Sequence, residues 1–198
     1  MDGDRWNWRL ALLLVVLWPA SASATVVIHV GLDELTEISH VIAHVDVESV
    51  EFVQPRPGVI KTRPTFRARE ILRGAEDFDG ELLVVEVGGG EWGDLRSHIP
   101  GMPRFRAGQE VLLFLERTSG GHIFTGLGQG VFRLRRDPAS GEALATRRLN
   151  GVGLVDRDAT GASAIRHSSA PVVDHPLHHL MSIISSHLED LGSDGGAR

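Results

Sequence analysis

The chain contains no cysteine. That excludes disulfide staples, thiol catalysis and a lipid anchor carried on a cysteine. Tyrosine is also absent. Of the tryptophans, Trp6, Trp8 and Trp18 precede residue 25, so Trp92 stands alone in the body of the chain. There is no Asn-x-Ser/Thr glycosylation triplet. No apolar run approaches the roughly 20 residues that a membrane-spanning helix needs. Gly-x-Ser-x-Gly and His-Glu-x-x-His are both missing, which removes the nucleophile-elbow and zincin signatures. Positive charge is in deficit: 20 Lys and Arg face 26 Asp and Glu, a net charge of −6. An acidic chain is a poor general binder of nucleic acid or anionic membrane.

The N-terminus is positively informative. Arg5 and Arg9 precede an unbroken apolar run over residues 10–17, followed by Pro19 and the small residues Ala20, Ser21, Ala22, Ser23 and Ala24. Charge, a short apolar core and an A-x-A-like site predict a secretory signal peptide over 1–24, cleaved before Thr25, with Ala20-Ser21-Ala22 as a second site that would give a start at Ser23. The predicted organisation is therefore a signal peptide, one β-rich domain over 25–191 and a polar tail over 192–198. An exported domain without cysteine or glycosylation sites fits a bacterial periplasm or medium better than a eukaryotic secretory route.

Hydrophobic period then places the elements. Residues 32–40 read as a short helix, with Leu32, Leu35 and Ile38 on one face and Asp33 as its cap. Val41, Ala43, Val45 and Val47 alternate with polar neighbours, and the phase slips near Glu48 and Ser49, the mark of a β-bulge. A turn over 54–58 leads to a strand with Ile60, Thr62, Pro64, Phe66 and Ala68 on one face and Lys61, Arg63, Arg67 and Arg69 on the other. Pro64 predicts an edge or a bulge. The basic face suits either an anionic polymer or, more commonly, cross-strand pairing with Asp46, Glu48 and Glu51. Residues 81–87 and 111–115 are apolar at consecutive positions, which predicts strands covered on both faces. Further strands are expected at 122–127, 131–136 and 144–149, and an irregular stretch at 156–169. Leu177, Leu180, Met181, Ile184 and Leu188 form a helical stripe, with Asp174 as cap and Pro176 in the first turn. The stripe is expected to cover both doubly apolar strands. Together these elements predict a mainly β fold: a small OB-like β-barrel with a short N-terminal helix and a C-terminal amphipathic helix.

Several segments carry a resemblance. They are Glu70-Ile71-Leu72-Arg73-Gly74, Leu83-Val84-Val85 before a glycine-rich loop, Pro100-Gly101-Met102-Pro103-Arg104-Phe105, Gly108-Gln109-Glu110-Val111-Leu112-Leu113-Phe114-Leu115 and Gly126-Leu127-Gly128-Gln129-Gly130-Val131-Phe132. Over residues 38–134 the chain resembles a family of uncharacterised secreted bacterial proteins, similar in strand pattern to OB-like or netrin-like barrels. The resemblance implies a fold and no activity. Netrin-like inhibitors use an N-terminal cysteine at a protease zinc, and this chain has Thr25 there.

Candidate chemistry is sparse. His175 and His179 are four apart, with Asp174 beside them, and that spacing can hold zinc. A polar helix face opposite the apolar stripe explains the same residues, and no metal or cofactor is assigned. Gly126, Gly128 and Gly130 lie between strands, where a bend or close backbone approach suits them better than a phosphate loop. Glu91 and Asp94 lack calcium-loop spacing. The long Gly/Pro-rich loop 88–108 is the favoured contact surface, with Trp92, Arg96, His98, Arg104 and Phe105 as ligand-binding residues. The reading that follows is a non-catalytic binding module whose partner is a protein or an anionic polymer. The alternative is a hydrolase, metal-assisted through histidines.

Overall fold

A computed structural model describes residues 25–147, 152–157, 163–167 and 174–194. The predicted signal peptide, the end of the strand expected at 144–149 and the end of the polar tail lie outside the described residues.

The chain is mainly β. Strand β1 (Thr25–Ile28) leads to helix α1 (Leu32–Ile38) and to a long hairpin, β2 (Val41–Arg56) and β3 (Val59–Arg73). Short strands β4 (Leu82–Val84) and β5 (Val87–Gly88) follow, then a hairpin of β6 (Gly90–Trp92) and β7 (Leu95–Ser97). Next come β8 (Glu110–Thr118), β9 (Gly121–Phe124), β10 (Val131–Arg136) and β11 (Ala143–Arg147). Strands β12 (Val152–Arg157), β13 (Ser163–His167) and β14 (Asp174–Pro176) precede helix α2 (Leu177–Asp194). The main sheet runs β14-β11-β10-β8-β2-β3-β4, with β5 also on β3 and β9 also on β8. A second sheet orders β1-β12-β13, its β1–β12 pairing parallel.

Strand β8 organises both sides of this sheet. Val111, Leu113 and Leu115 face a cluster with Val41, Ala43, Val45, Val47, Phe66 and Val131, while Leu112 and Phe114 face Ile42, Phe132 and Ala145. The alternation of a pleated strand splits the consecutive apolar residues between two covered faces. On the second face lie Leu35 of α1 and Leu180 and Ile184 of α2, all buried, with Leu177, Met181 and Leu188 packed against them. The apolar stripe of α2 thus covers β8, as its spacing predicts.

Several expectations need correction. The sheet does not close into a barrel: its terminal strands β4 and β14 are unpaired with each other. The first face is sealed instead by rings, with Phe105 5.2 Å from both Phe66 and Phe124 and edge-on to Phe66. An aromatic plug removes water from the sheet face without a closing strand. Residues 81–87 are likewise not covered on both faces. Leu83 and Val85 are buried, but Val84 is half exposed at the sheet edge, and α2 does not reach them. Asp174 is no helix cap. Asp174 to Pro176 form β14, pairing with β11, and the Asp174 carboxylate takes hydrogen bonds from Thr146 and Arg135. The stretch 156–169 carries the end of β12 and all of β13, because Ala164 to Arg166 pair with Leu154 to Asp156. Residues 88–108 include β6 and β7 as a paired hairpin, so the loop is partly ordered by its own backbone hydrogen bonds. Helix α1 is entered from an extended Gly31 with no side-chain cap, and Asp33 sits in its first turn. Its C-terminal end is held by Arg73, whose guanidinium donates to the Thr36 and Ser39 carbonyls, a favourable place for a cation.

Other details follow the pattern. The β2–β3 register shifts between Val47 and Ser49, which leaves Glu48 as the extra residue of a bulge. Pro64 stands opposite Val50 just past that bulge, and its carbonyl accepts from the Val85 amide. The charged faces pair: Arg67 with Glu48 and Glu81, Arg69 with Asp46, and Lys61 and Arg63 with Glu86. At Gly130 a Cβ would lie 2.7 Å from the Phe114 carbonyl oxygen, so the backbone approach there requires glycine. Beside it, buried Gln129 accepts from the Val30 amide and donates to the Ile28 carbonyl, tying the N-terminal segment to the sheet.

Asp77 joins Arg117 and His122 at the far end of β8 and β9. Hydrogen bonds from Arg117, then the charge of His122, hold its carboxyl below the usual aspartate range. The resulting stability is complete above about pH 4, the unfolded-state value, and fades as pH falls through the lower folded-state value. Asp77→Asn is therefore expected to lower the denaturation midpoint at neutral pH and to shrink its fall on acidification. Equal acid limits for both proteins in urea melts would refute this.

Candidate functional site

The β2–β3 hairpin extends beyond the core, and its distal half forms one wall of a groove of about 860 Å³. Val50 and Phe52 come from β2 and Thr62 from β3. Thr62 donates to the Gly89 carbonyl at 2.7 Å, and the Gly89 amide donates to the Ile60 carbonyl at 2.9 Å. These bonds lay the glycine run along β3. Gly90 has φ of 137°, and a Cβ there would meet Phe52 and Thr62 at 2.7 Å. Only glycine passes that point, so the glycine run is explained by approach to β2 and β3. The β6–β7 hairpin then projects Glu91 and Arg96 at the groove, with Arg96 opposite Glu91 in register.

The other wall is built on a turn. The Met102 amide donates to the Ile99 carbonyl across Pro100 and Gly101, and Gly101 has φ of 80°. Proline followed by a left-handed glycine is the signature of a type II turn. The Gly101 carbonyl also accepts from Gly128 at 2.8 Å, fixing the turn to the segment just before β10. Downstream, the Arg106 amide donates to Gln109 Oε1, and the Gln109 carbonyl accepts from Val47 of β2. Arg133 of β10 donates to the Arg104 carbonyl at 2.7 Å. Arg104 in turn donates to His98 Nδ1 at 3.0 Å. Since arginine only donates, His98 accepts at Nδ1 and carries its ring proton on Nε2 in this arrangement.

Charge sets this groove apart from the rest of the surface. Arg96, His98, Arg104, Arg106 and Arg133 line it, against the single acid Glu91. Glu91 lies 3.8 Å from Arg96, and both are largely exposed, so that pair is weak. Among the described residues, neither Arg104 nor Arg106 has a carboxylate within ion-pair distance. Elsewhere several arginines meet acids: Arg63 with Glu86, Arg67 with Glu48, Arg69 with Asp46, Arg117 with Asp77 and Arg135 with Asp174, while Arg73 and Arg147 donate to backbone carbonyls. At this groove of an acidic chain, two guanidinium groups, those of Arg104 and Arg106, thus lack a carboxylate partner among the described residues. Between them lie apolar side chains, including Phe52 and Ile99, which are 41% and 39% exposed.

The residues singled out in sequence divide here. Arg96, His98 and Arg104 converge on the groove. Phe105 touches it too, but its ring is buried in the aromatic plug, 8% exposed. Trp92 lies outside the lining, half exposed on β6 opposite Leu95, which is also exposed. Sequence reading missed Phe52, Ile99, Met102 and Arg106 at this site. The Ile99–Met102 turn was the available signal for the second wall. His175 lies in β14 and His179 in α2, both exposed, with Asp174 engaged by Thr146 and Arg135. Among the described residues no three His, Asp or Glu side chains gather as a metal site would require. No described helix is long and apolar enough to cross a membrane. No family model, curated protein or solved structure matches the chain.

Proposed function

We propose that the chain is a secreted, non-catalytic binding module whose groove between the β2–β3 hairpin and residues 96–106 takes an anionic ligand. One observation carries this reading: in a protein of net charge −6, the groove is lined by four arginines and His98 against the single acid Glu91. Such a patch attracts anions over a Debye length, and its arginines offer bidentate donors to carboxylate, sulfate or phosphate. Against the hydrolase alternative stands the engagement of the groove's histidine, His98, with Arg104. Export belongs to the same proposal, and N-terminal sequencing of exported protein is expected to begin at Thr25. Recovery of intact Met1 from the periplasm or medium would count against it.

Poly-L-glutamate is a suitable first probe, with poly-L-lysine as its opposite. Fluorescence titration is expected to show binding of the glutamate polymer alone, weakening as salt rises. Arg104→Glu with Arg106→Glu is expected to weaken it about tenfold or more, since each change replaces attraction with repulsion. Both side chains are exposed, so the fold should survive, which circular dichroism checks. Undiminished binding by the double variant would exclude the groove as the site.

A further inference from the structure

We infer that the occupant of this groove is an extended acidic polypeptide segment in which carboxylate side chains are interspersed with apolar ones. The inference rests on the anionic-ligand reading above and narrows it to one class. A uniform polyanion, whether polyphosphate or polyuronate, matches Arg96, Arg104 and Arg106 but sets charge against Phe52, Ile99 and Met102. Apolar surface opposed by charge stays wet or desolvates the charge at a cost. A peptide with both side-chain types satisfies the two parts of the lining at once. Carboxylates meet the guanidinium groups, and apolar side chains cover Phe52 and Ile99, which the fold leaves exposed. A lining that mixes apolar and arginine side chains is what a protein partner's interface uses. The neighbouring hairpin extends the apolar contact available to such a partner, since Trp92 and Leu95 are 45% and 54% exposed.

The test compares three probes of equal charge on the full chain by competition titration: a glutamate homopeptide, a peptide alternating glutamate with leucine, and a polyphosphate. The alternating peptide is expected to bind about tenfold more tightly than the homopeptide, the effect of burying one or two apolar side chains. Phe52→Ser with Ile99→Ser should abolish that advantage while leaving homopeptide binding within about twofold, which also shows that the variant is folded. Equal affinities for the two peptides, or polyphosphate binding as tight as the alternating peptide, would overturn the polypeptide assignment and leave the anionic groove standing. Failure of all three probes would remove the parent reading as well.

Discussion

Phe114→Ala is expected to cost about 3–5 kcal/mol, the range for truncating a buried phenylalanine. Phe114 is fully buried in the central strand β8, on the face that carries both helices. Its ring lies 5.8 Å from that of Phe132, and its neighbours include Leu35 of α1 and Ile184 of α2. Its backbone is equally engaged, because the Phe114 carbonyl accepts from Thr125 and Gly130 packs against it. The surroundings therefore cannot collapse into the space left behind, which puts the cost toward the upper end of the range. With no disulfide in reserve, a domain of ordinary stability, about 5–15 kcal/mol, loses a large fraction of it. Urea unfolding of the two proteins measures the difference. A midpoint close to wild type would show that this face of β8 is not covered.

Removal of α2 is expected to be more damaging still. Leu180 and Ile184 are buried against β8, and Leu177, Met181 and Leu188 add partial burial. Each fully buried Leu or Ile contributes about 1.5–3 kcal/mol, so the helix accounts for several kcal/mol and leaves Leu112 and Phe114 bare when it is gone. A cut after Pro176 is the appropriate one, because it preserves β14 and the pairing of Asp174 with Arg135. The truncated chain should lose cooperative unfolding or aggregate, while Leu180→Ser with Ile184→Ser should lower the midpoint without removing the backbone. A truncated chain with wild-type thermal unfolding would make α2 a dispensable appendage rather than a wall of the core.

The local pattern was legible where one physical constraint dominates. Period-two alternation identified β2 and β3, the slip at Glu48 located the bulge, and the three-and-four spacing in 177–188 fixed both the helix and its buried face. Closure was not legible. Whether a sheet curls shut depends on contacts distant in sequence, and here Phe66, Phe105 and Phe124 come together from three separate segments. The two apolar stretches looked alike for the same reason: 111–115 is a central strand and 81–87 an edge, a distinction set by neighbours rather than by composition. At the groove, the Gly/Pro-rich stretch pointed to the right loop, yet Phe52 and Arg133 reach it from strands far along the chain. Phe105 reads as a loop aromatic in sequence, but the fold draws it into the core. Arg104 and Arg106 stand out only once the fold sets them in a groove with a single acid.

The groove itself is tested most directly by residue-resolved mapping. Titration of the isotope-labelled full chain with poly-L-glutamate at low salt should move backbone amide resonances at 88–91, 96–106 and 128–133. Those of α2, which lies on the opposite face of the sheet, should stay in place. Shifts concentrated on 177–194, or no shifts at all, would contradict the assignment of this groove as the binding surface.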